Sequence, residues 1–210
     1  MKVLLVNGSP NEKGCTYTAL SEVAGALNKE GIETDIFHIG KQPIAGCIAC
    51  RKCGELKKCV FDDKVNEVLK IVKDYDGYIF GSPVHYASAS GLMAAFMDRM
   101  FYVDLRSGAK SFYLKPAASV VSARRAGTTA TLDQLNKYYQ LMEMPMISSQ
   151  YWNMVHGAIP EEVKKDEEGL QVMRTLGKNM AFHLKCKEAG LKAGVSFPEK
   201  EEKLWTNFIR

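Results

Sequence analysis

Four of the six cysteines lie in one short stretch, spaced as Cys47-x2-Cys50-x2-Cys53-x5-Cys59. Three cysteines at successive intervals of three residues can place their thiolates around a cubane, and a short return segment can bring the fourth. Proteins hold [4Fe–4S] clusters in this way. Basic residues are interleaved with the cysteines and would offset the negative charge of thiolates and cluster. We therefore interpret the four cysteines as candidate metal ligands.

Other interpretations of these thiols stay open. Zinc accepts four thiolates, but tetrahedral zinc sites usually use two separated pairs of cysteines rather than three within the segment 47–53. The cysteines could also form a redox-active thiol set, or bind nothing. Structural disulfides are not expected, because the sequence shows no export signal and a reducing compartment keeps thiols free.

A second candidate site follows the apolar run Lys2–Val6. The first loop, Gly8–Thr18, is rich in glycine and hydroxyl-bearing residues and leads into a predicted helix. Free backbone N–H groups and the positive end of the macrodipole make a helix start an anion site. A phosphate monoester fits this arrangement, with Ser9, Thr16 and Thr18 as hydroxyl donors. The alternative is an ordinary strand-to-helix turn with a capping hydroxyl.

Two later loops also follow predicted strands. The second loop, Gly81–Gly91, has small, turn-forming residues that allow close backbone approach to a flat ligand, and Tyr86 could contact a ring. The third loop, Ser122–Thr128, offers backbone N–H groups and either Arg124 or Arg125 to stabilise negative charge. The alternative for both arginines is that they are solvated surface residues.

The apolar pattern of the chain predicts strands that alternate with helices. The expected strands are 2–6, 32–39, 78–80, 117–121 and 146–148. The expected helices are 16–30, one capped by Asp62 and Asp63, 90–101, one after Gly127, and 167–187. Parallel strands joined by right-handed helical crossovers form a sheet with helices on both faces. Such a sheet binds ligands beyond the carboxyl ends of its strands, where the winding reverses, so the three loops should lie together.

The three loops resemble those of the NADPH-dependent FMN reductase family, within the flavodoxin-like and WrbA-like superfamily. The resemblance lies in Gly8–Pro10 with the downstream Gly14–Thr16, in Gly81–Val84 and in the helix Ala94–Arg99, and it covers about residues 1–150. It implies an α/β fold of the flavodoxin-like class, a doubly wound five-stranded parallel sheet with helices on both faces. We expect a single FMN-binding domain over 1–190 and a charged tail over 191–210.

The resemblance implies FMN as the cofactor. The residues expected at its phosphate are Ser9, Asn11, Cys15, Thr16, Tyr17 and Thr18. The residues expected against its isoalloxazine ring are Pro83, Val84, His85, Tyr86, Ser122, Ala123, Arg124, Arg125 and Gly127. Asp98 and Arg99 belong to the shared motif, and we interpret them as structural residues at a helix end.

The cysteine spacing is similar to the compact motif of iron–sulfur flavoproteins, a branch of the same family. By that analogy a [4Fe–4S] cluster on the four cysteines would exchange single electrons with FMN, across a subunit interface. Relatives are dimers or tetramers, so the resemblance also implies a homodimer or homotetramer.

The leading functional hypothesis is an oxidoreductase in which NAD(P)H reduces bound FMN, and FMN then reduces a flavin, quinone, nitro or azo compound, or a protein. Because the cofactor carries the chemistry, no catalytic acid–base residue is expected. One alternative is an electron carrier with FMN and a [4Fe–4S] cluster, although flavodoxin-type carriers are usually strongly acidic and this chain has a net charge of +4. Another is a flavin-sensing scaffold without turnover.

The charge pattern and the hydropathy exclude other classes of function. Lysine and arginine are spread along the chain among acidic residues, which argues against a nucleic-acid surface. The apolar run near the start is too short for a signal or membrane segment. We therefore expect a cytoplasmic protein without a nucleic-acid or membrane partner.

Overall fold

Apolar runs of the sequence form a central sheet, and amphipathic segments form helices against it. The computed structural model describes residues 1–202, 204, 206 and 208. Its strands are β1 (Lys2–Asn7), β2 (Glu33–His38), β3 (Gly77–His85), β4 (Ser88–Ala89), β5 (Ala117–Ala123) and β6 (Met154–His156). Its helices are α1 (Cys15–Lys29), α2 (Cys53–Leu56), α3 (Lys64–Ile71), α4 (Gly91–Ser107), α5 (Thr128–Leu141), α6 (Pro160–Val163) and α7 (Glu167–Lys192), with a 3-10 turn at Val72–Asp74.

The sheet has five parallel strands in the order β2-β1-β3-β5-β6. The short strand β4 turns back antiparallel against the end of β3. The chain moves outward from β1 to β2 and then returns past β1 to β3, so its winding reverses between β1 and β3. This topology confirms the predicted doubly wound sheet of five parallel strands.

Two apolar cores lie on opposite faces of the sheet. In β1, Leu4 and Val6 pack with α3, α4 and α5, whereas Val3 and Leu5 pack with α1 and α7. All four side chains are fully or almost fully buried, which is why the strand is a continuous apolar run without alternation. Each such side chain contributes about 1.5–3 kcal/mol to folding.

The strand β3 continues beyond its predicted end at Phe80. Gly81, Ser82 and Pro83 extend it by pairing with Val120–Ser122 of β5. Proline cannot donate a ladder hydrogen bond, but β1 has already ended opposite Gly81, so Pro83 has no strand to bond on that side. The turn-forming Gly-Ser-Pro triplet therefore lies within a strand.

The predicted strand 146–148 is wrong. Its one pairing is an isolated bridge between Met146 and Ala117, at the start of β5. The fifth parallel strand is β6 instead, which pairs with the end of β5. The chain thus meets β5 twice, and the three-residue strand Met154–His156 is too short to give a clear periodic signal.

Two helices continue beyond their predicted C-terminal ends. Helix α4 continues from the expected end at 101 to Ser107, and it stops at Gly108, whose φ of +71° is left-handed. Helix α7 continues from the expected end at 187 to Lys192. The short helices α2 and α6 were not predicted. Within the described part of the chain, no helix is both long enough and apolar enough to cross a membrane.

The proposed charged tail, 191–210, begins within the last turn of α7. Residues 195–202 follow without regular structure, and all of them are exposed. The remaining part of the tail falls partly outside the described residues, which omit Lys203, Trp205, Asn207, Ile209 and Arg210.

Helices α1 and α7 are in close contact at Gly177. A Cβ atom at this position would lie 2.7 Å from the Cβ of Ala26 and 2.8 Å from the carbonyl oxygen of Val23. We expect Gly177→Ala to lower the free energy of unfolding by about 1–3 kcal/mol, because overpacking against a backbone atom outweighs the gain in helix propensity. Equilibrium urea denaturation measures this change.

Gly190→Ala is the matched control in the same helix. A Cβ atom at Gly190 would meet only the side chain of Val195, at 3.9 Å. This substitution should raise the free energy of unfolding by up to about 1 kcal/mol. Equal effects of the two substitutions would contradict the close approach of α1 and α7.

Candidate functional site

The three loops meet at the carboxyl edge of the sheet. The Gly8 N–H donates to the Gly81 carbonyl oxygen at 2.8 Å, and the Ser90 hydroxyl donates to the Gly8 carbonyl oxygen at 2.9 Å. The hydroxyl oxygens of Thr16 and Ser122 lie 2.8 Å apart in a buried hydrogen bond. These contacts hold the first loop against both of the others.

Helices α1 and α5 begin at this edge without a side-chain cap. Their N-cap residues are Gly14 and Gly127, and neither makes a capping hydrogen bond through a side chain. In the other long helices of the described residues, α3, α4 and α7, the side chains of Asp63, Ser90 and Asp166 cap the first turn. The first N–H groups of α1 and α5, together with the helix macrodipoles, therefore make two electropositive positions at the edge.

The hydroxyl groups of the first loop differ in their availability. Ser9 is buried, and its hydroxyl oxygen accepts from the Asn11 N–H at 3.1 Å, which leaves its proton free to donate. The hydroxyl of Thr18 donates to the Gly14 carbonyl oxygen at 3.2 Å, and that of Thr16 is paired across the loops. Ser9 is thus the hydroxyl donor that can face a ligand.

The thiol of Cys15 is hydrogen-bonded to the chain that follows β6. Its sulfur donates to the carbonyl oxygen of Gly157, 3.5 Å away, and burial raises the pKa of this thiol. At neutral pH the group is a protonated thiol. Cys15 and the half-buried Tyr17 can therefore offer a ligand their backbone N–H groups at the start of α1.

The second loop is a hairpin that extends β3. Pro83 and Val84 are half-buried and His85 is exposed at the end of the strand. Tyr86 and Ala87 form the turn, both with left-handed φ angles, of +51° and +57°. The Tyr86 side chain is fully exposed, so an aromatic ring stands at the outer end of the edge.

The third loop touches the hairpin at Gly127. Its φ is +91°, and a Cβ atom there would lie 2.6 Å from the Ala87 Cα and 2.9 Å from the Val84 side chain. Only glycine fits this position. In the same loop Ser122 and Ala123 end β5, whereas the side chains of Arg124 and Arg125 are exposed.

The sequence did not identify the residues that face the first loop from other elements. His38, Lys41 and Ala158–Pro160 line the same hollow as Asn11–Cys15. The His38 ring donates through Nε2 to the Ser9 carbonyl oxygen, 2.8 Å away. The usable signal was the position of His38 at the end of β2, the strand beside β1, because neighbouring parallel strands bring their carboxyl ends together.

The four predicted cysteine ligands line one hollow, which we call the cysteine hollow. Cys47 and Cys50 are exposed, Cys53 is buried at the start of α2, and Cys59 is half-buried. Among the described residues, no three histidine, cysteine or acidic side chains are close enough to hold a single metal ion. The hollow places four candidate thiolates together, and thiolates are the ligands that an iron–sulfur cluster accepts.

The interpretation of Asp98 and Arg99 as helix-end residues is wrong, because α4 continues well past them. Arg99 is 1% exposed. Its Nε and Nη2 atoms lie 3.2 and 3.1 Å from the Cys59 sulfur, and it forms a bidentate pair with Asp63. Asp98 accepts a hydrogen bond from the Tyr138 hydroxyl. A residue of the shared motif therefore belongs to the cysteine hollow.

The model of the family described as NADPH-dependent FMN reductase matches residues 1–158. The chain belongs to the NADPH-dependent FMN reductase family. It is therefore a flavoprotein oxidoreductase of a family that binds FMN. One relative of this FMN reductase family member is an iron-sulfur flavoprotein of Methanocaldococcus jannaschii. The two are 33% identical over 190 residues, which cover 86% of this chain and 96% of the relative.

Solved structures confirm the flavodoxin-like fold of this family member. RosB with a bound riboflavin-phosphate intermediate superposes with a TM-score of 0.70 at 14% identity, over 100% of this chain and 94% of RosB. The WrbA-like flavodoxin of Agrobacterium tumefaciens superposes with a TM-score of 0.61 at 14% identity, over 88% of this chain and 97% of that protein. At these identities the likeness concerns the fold alone.

The buried hydrogen bond between Thr16 and Ser122 provides a test of the junction between loops. Thr16→Val should lower the free energy of unfolding by about 1–3 kcal/mol, because the Ser122 hydroxyl stays buried without its partner. The double variant with Ser122→Ala should show a coupling free energy of about 1 kcal/mol in urea denaturation. The exposed control Thr129→Val should change stability by less than about 0.5 kcal/mol. Additive effects of the two buried substitutions would contradict the contact.

Proposed function

We propose that this chain passes reducing equivalents from NAD(P)H, through bound FMN, to a small-molecule acceptor such as a flavin, quinone or nitro compound, or to a protein. The observation that carries the proposal is the pair of uncapped helix starts, α1 and α5, at the edge where the winding of the sheet reverses. FMN supplies the redox chemistry when it is bound. The residues of the chain bind it, orient it and leave it open to its reaction partners.

The proposed phosphate site is the start of α1. The N–H groups of Cys15–Tyr17 lack side-chain acceptors, and the positive end of the macrodipole favours a dianion there. The Ser9 hydroxyl has a free proton, and the His38 ring supports the Ser9 carbonyl from behind. The full set proposed for the phosphate is Ser9, Asn11, Cys15, Thr16, Tyr17 and Thr18.

The proposed ring site lies between the hairpin and the third loop. There the uncapped N–H groups of α5 offer positive charge to a polar ring edge, and Tyr86 offers an exposed aromatic surface. The full set proposed for the ring is Pro83, Val84, His85, Tyr86, Ser122, Ala123, Arg124, Arg125 and Gly127.

The outer side of the proposed ring site is open to solution. Tyr86, Arg124 and Arg125 are all exposed, so a donor and an acceptor can bind there in turn. Guanidinium groups match phosphate oxygens in geometry and charge. We therefore propose that the two arginines receive the phosphates of NAD(P)H.

The test is anaerobic titration of the purified protein with FMN, followed by addition of NADPH or NADH. We expect FMN to bind, its oxidised absorbance to bleach with one of the nicotinamides, and steady-state turnover to follow addition of a flavin or quinone. Failure to bind FMN would overturn the proposal. Bound FMN that neither nicotinamide reduces would contradict the reductase function and favour an electron carrier or a flavin-sensing scaffold.

A glycine substitution locates the ring site. Gly127→Ala should weaken FMN binding at least tenfold, about 1.4 kcal/mol, because its Cβ would push the hairpin away at Ala87. The matched control is Gly40→Ala. Gly40 has a similar left-handed φ of +86°, but a Cβ atom there meets no atom of the described residues within 4 Å. Fluorescence titration of FMN measures both, and equal losses would argue against this location.

A second candidate function is an electron carrier that holds both FMN and a [4Fe–4S] cluster. The cysteine hollow favours it, because all four candidate thiolate ligands line one space. A bound cluster supplies one-electron transfer. The name of the Methanocaldococcus relative, an iron-sulfur flavoprotein, supports a cluster of this kind. The ligands proposed for it are Cys47, Cys50, Cys53 and Cys59. Negligible NAD(P)H turnover by a protein loaded with both groups would favour this function over the first.

Cysteine variants test the cluster. Serine at any one of the four positions should lower iron and acid-labile sulfide to less than about half of the wild-type amount after anaerobic reconstitution, because a cubane needs all four corners held. Cys186→Ser is the control, since Cys186 is exposed in α7, away from the hollow, and it should keep the full amount. Tightly bound zinc in place of iron, or equal retention in all variants, would overturn the cluster.

The exposed aromatic pair Tyr151 and Trp152 supports a proposed homodimer or homotetramer. Both rings are about half exposed and pack edge-on, with centroids 4.7 Å apart. Large aromatic side chains of this kind are enriched where subunits meet. Sedimentation equilibrium of the FMN-loaded protein reports the oligomeric state, and a monomer would contradict the proposal.

A further inference from the structure

The guanidinium of Arg99 bonds to several points of the segment that carries the cysteines. Besides Cys59 and Asp63, its Nη1 atom donates to the Ala45 carbonyl oxygen at 3.2 Å and its Nη2 atom to that of Phe61 at 3.3 Å. The group also stacks over the Phe61 ring, with 4.9 Å between the guanidinium carbon and the ring centroid. One side chain of α4 thus joins the chain before the first ligand to the chain around the last.

Cys59 is held from two directions. The side-chain amide of Asn66 accepts from the Cys59 N–H at 2.9 Å and donates to the Cys59 carbonyl oxygen at 3.0 Å. The backbone of Cys59 is therefore bonded to α3 through Asn66, while the sulfur of Cys59 is bonded to α4 through Arg99. Cys47 and Cys50 are exposed by comparison. Cys59 is consequently a candidate ligand that the protein holds through both its backbone and its sulfur.

The sulfur of Cys59 is an unusual target for a buried arginine. A neutral thiol is a weak acceptor, and burial of a guanidinium is unfavourable unless its donors are matched. Asp63 balances the positive charge, yet Nε and Nη2 still point at the sulfur. A metal-bound thiolate is the acceptor that suits two charged donors.

We propose that Arg99 is a positioning residue for an iron–sulfur cluster in the cysteine hollow. Its Nε–H and Nη2–H groups aim the Cys59 sulfur and donate hydrogen bonds to it when it is a cluster ligand. Hydrogen bonds to cluster sulfurs stabilise the more negative, reduced state and raise the reduction potential. This inference rests on the proposed cluster and adds to it a residue outside the ligand set.

Arg99→Lys tests the role, because it keeps the positive charge and loses the planar pair of donors. We expect wild-type FMN content, a severalfold loss of iron retained after gel filtration, and a more negative midpoint potential in a redox titration followed by electron paramagnetic resonance. Arg106→Lys, on an exposed arginine of the same helix, should match the wild type in all three.

A second measurement does not depend on how the variant folds. Wild-type protein grown with arginine labelled by ¹⁵N only in its guanidinium should show, in pulsed electron paramagnetic resonance, a nitrogen coupling to the reduced cluster that changes with the isotope. The coupling should persist in Arg51→Lys, which removes the arginine among the cysteines.

Different outcomes test the presence of the cluster and the role of Arg99. Wild-type protein without iron would overturn the cluster itself. A wild-type cluster that shows no guanidinium coupling, or an Arg99→Lys protein with unchanged iron and potential, would overturn only the role of Arg99.

Discussion

The hydrogen bonds of Gly8 join the three elements on which the site depends. Its N–H donates to the carbonyl oxygen of Gly81 in the middle of β3, and its carbonyl oxygen accepts from Ser90, which also caps α4 by accepting from the Met93 N–H. A Cβ atom at Gly8 would lie 2.6 Å from the Met93 sulfur, so a larger residue would force the elements apart. This junction lies where the sheet reverses its winding, and it leaves the starts of α1 and α5 facing the same edge.

Much of this arrangement could be predicted from the sequence, because strands buried on both faces leave continuous apolar runs. The run Lys2–Val6 and the glycine-rich loop behind it specify a strand, a turn and a helix in order. The extension of β3 through Pro83 could not be predicted, since it depends on pairing with β5 far along the chain. The contribution of His38 depends on strand order, which places the end of β2 beside the end of β1 and so brings the His38 ring to Ser9. Its position at the end of a predicted strand was the available signal.

In the cysteine segment the candidate ligands were predictable from the sequence, but their partner was not. Local spacing alone identified the four candidate ligands. The partner of Cys59 was not apparent, because Arg99 is 40 positions away in the chain and reaches the sulfur only when α4 packs beside the segment. The apolar pattern underestimated the length of α4 and so placed Arg99 at a helix end. A prediction that gave α4 its full length would have placed Arg99 in the middle of the helix without any further motif.

Helix α4 connects the two proposed cofactor sites as a rigid spacer. Ser90 at its start is bonded to the first loop, and Arg99 is bonded to Cys59. The nine-residue interval corresponds to a rise of about 14 Å along an α-helix. The spacing between the first loop and Cys59 is therefore set by peptide geometry and not by loop conformation, so the first loop and the cysteine hollow would keep a constant spacing even while the exposed hairpin adapts to different reaction partners.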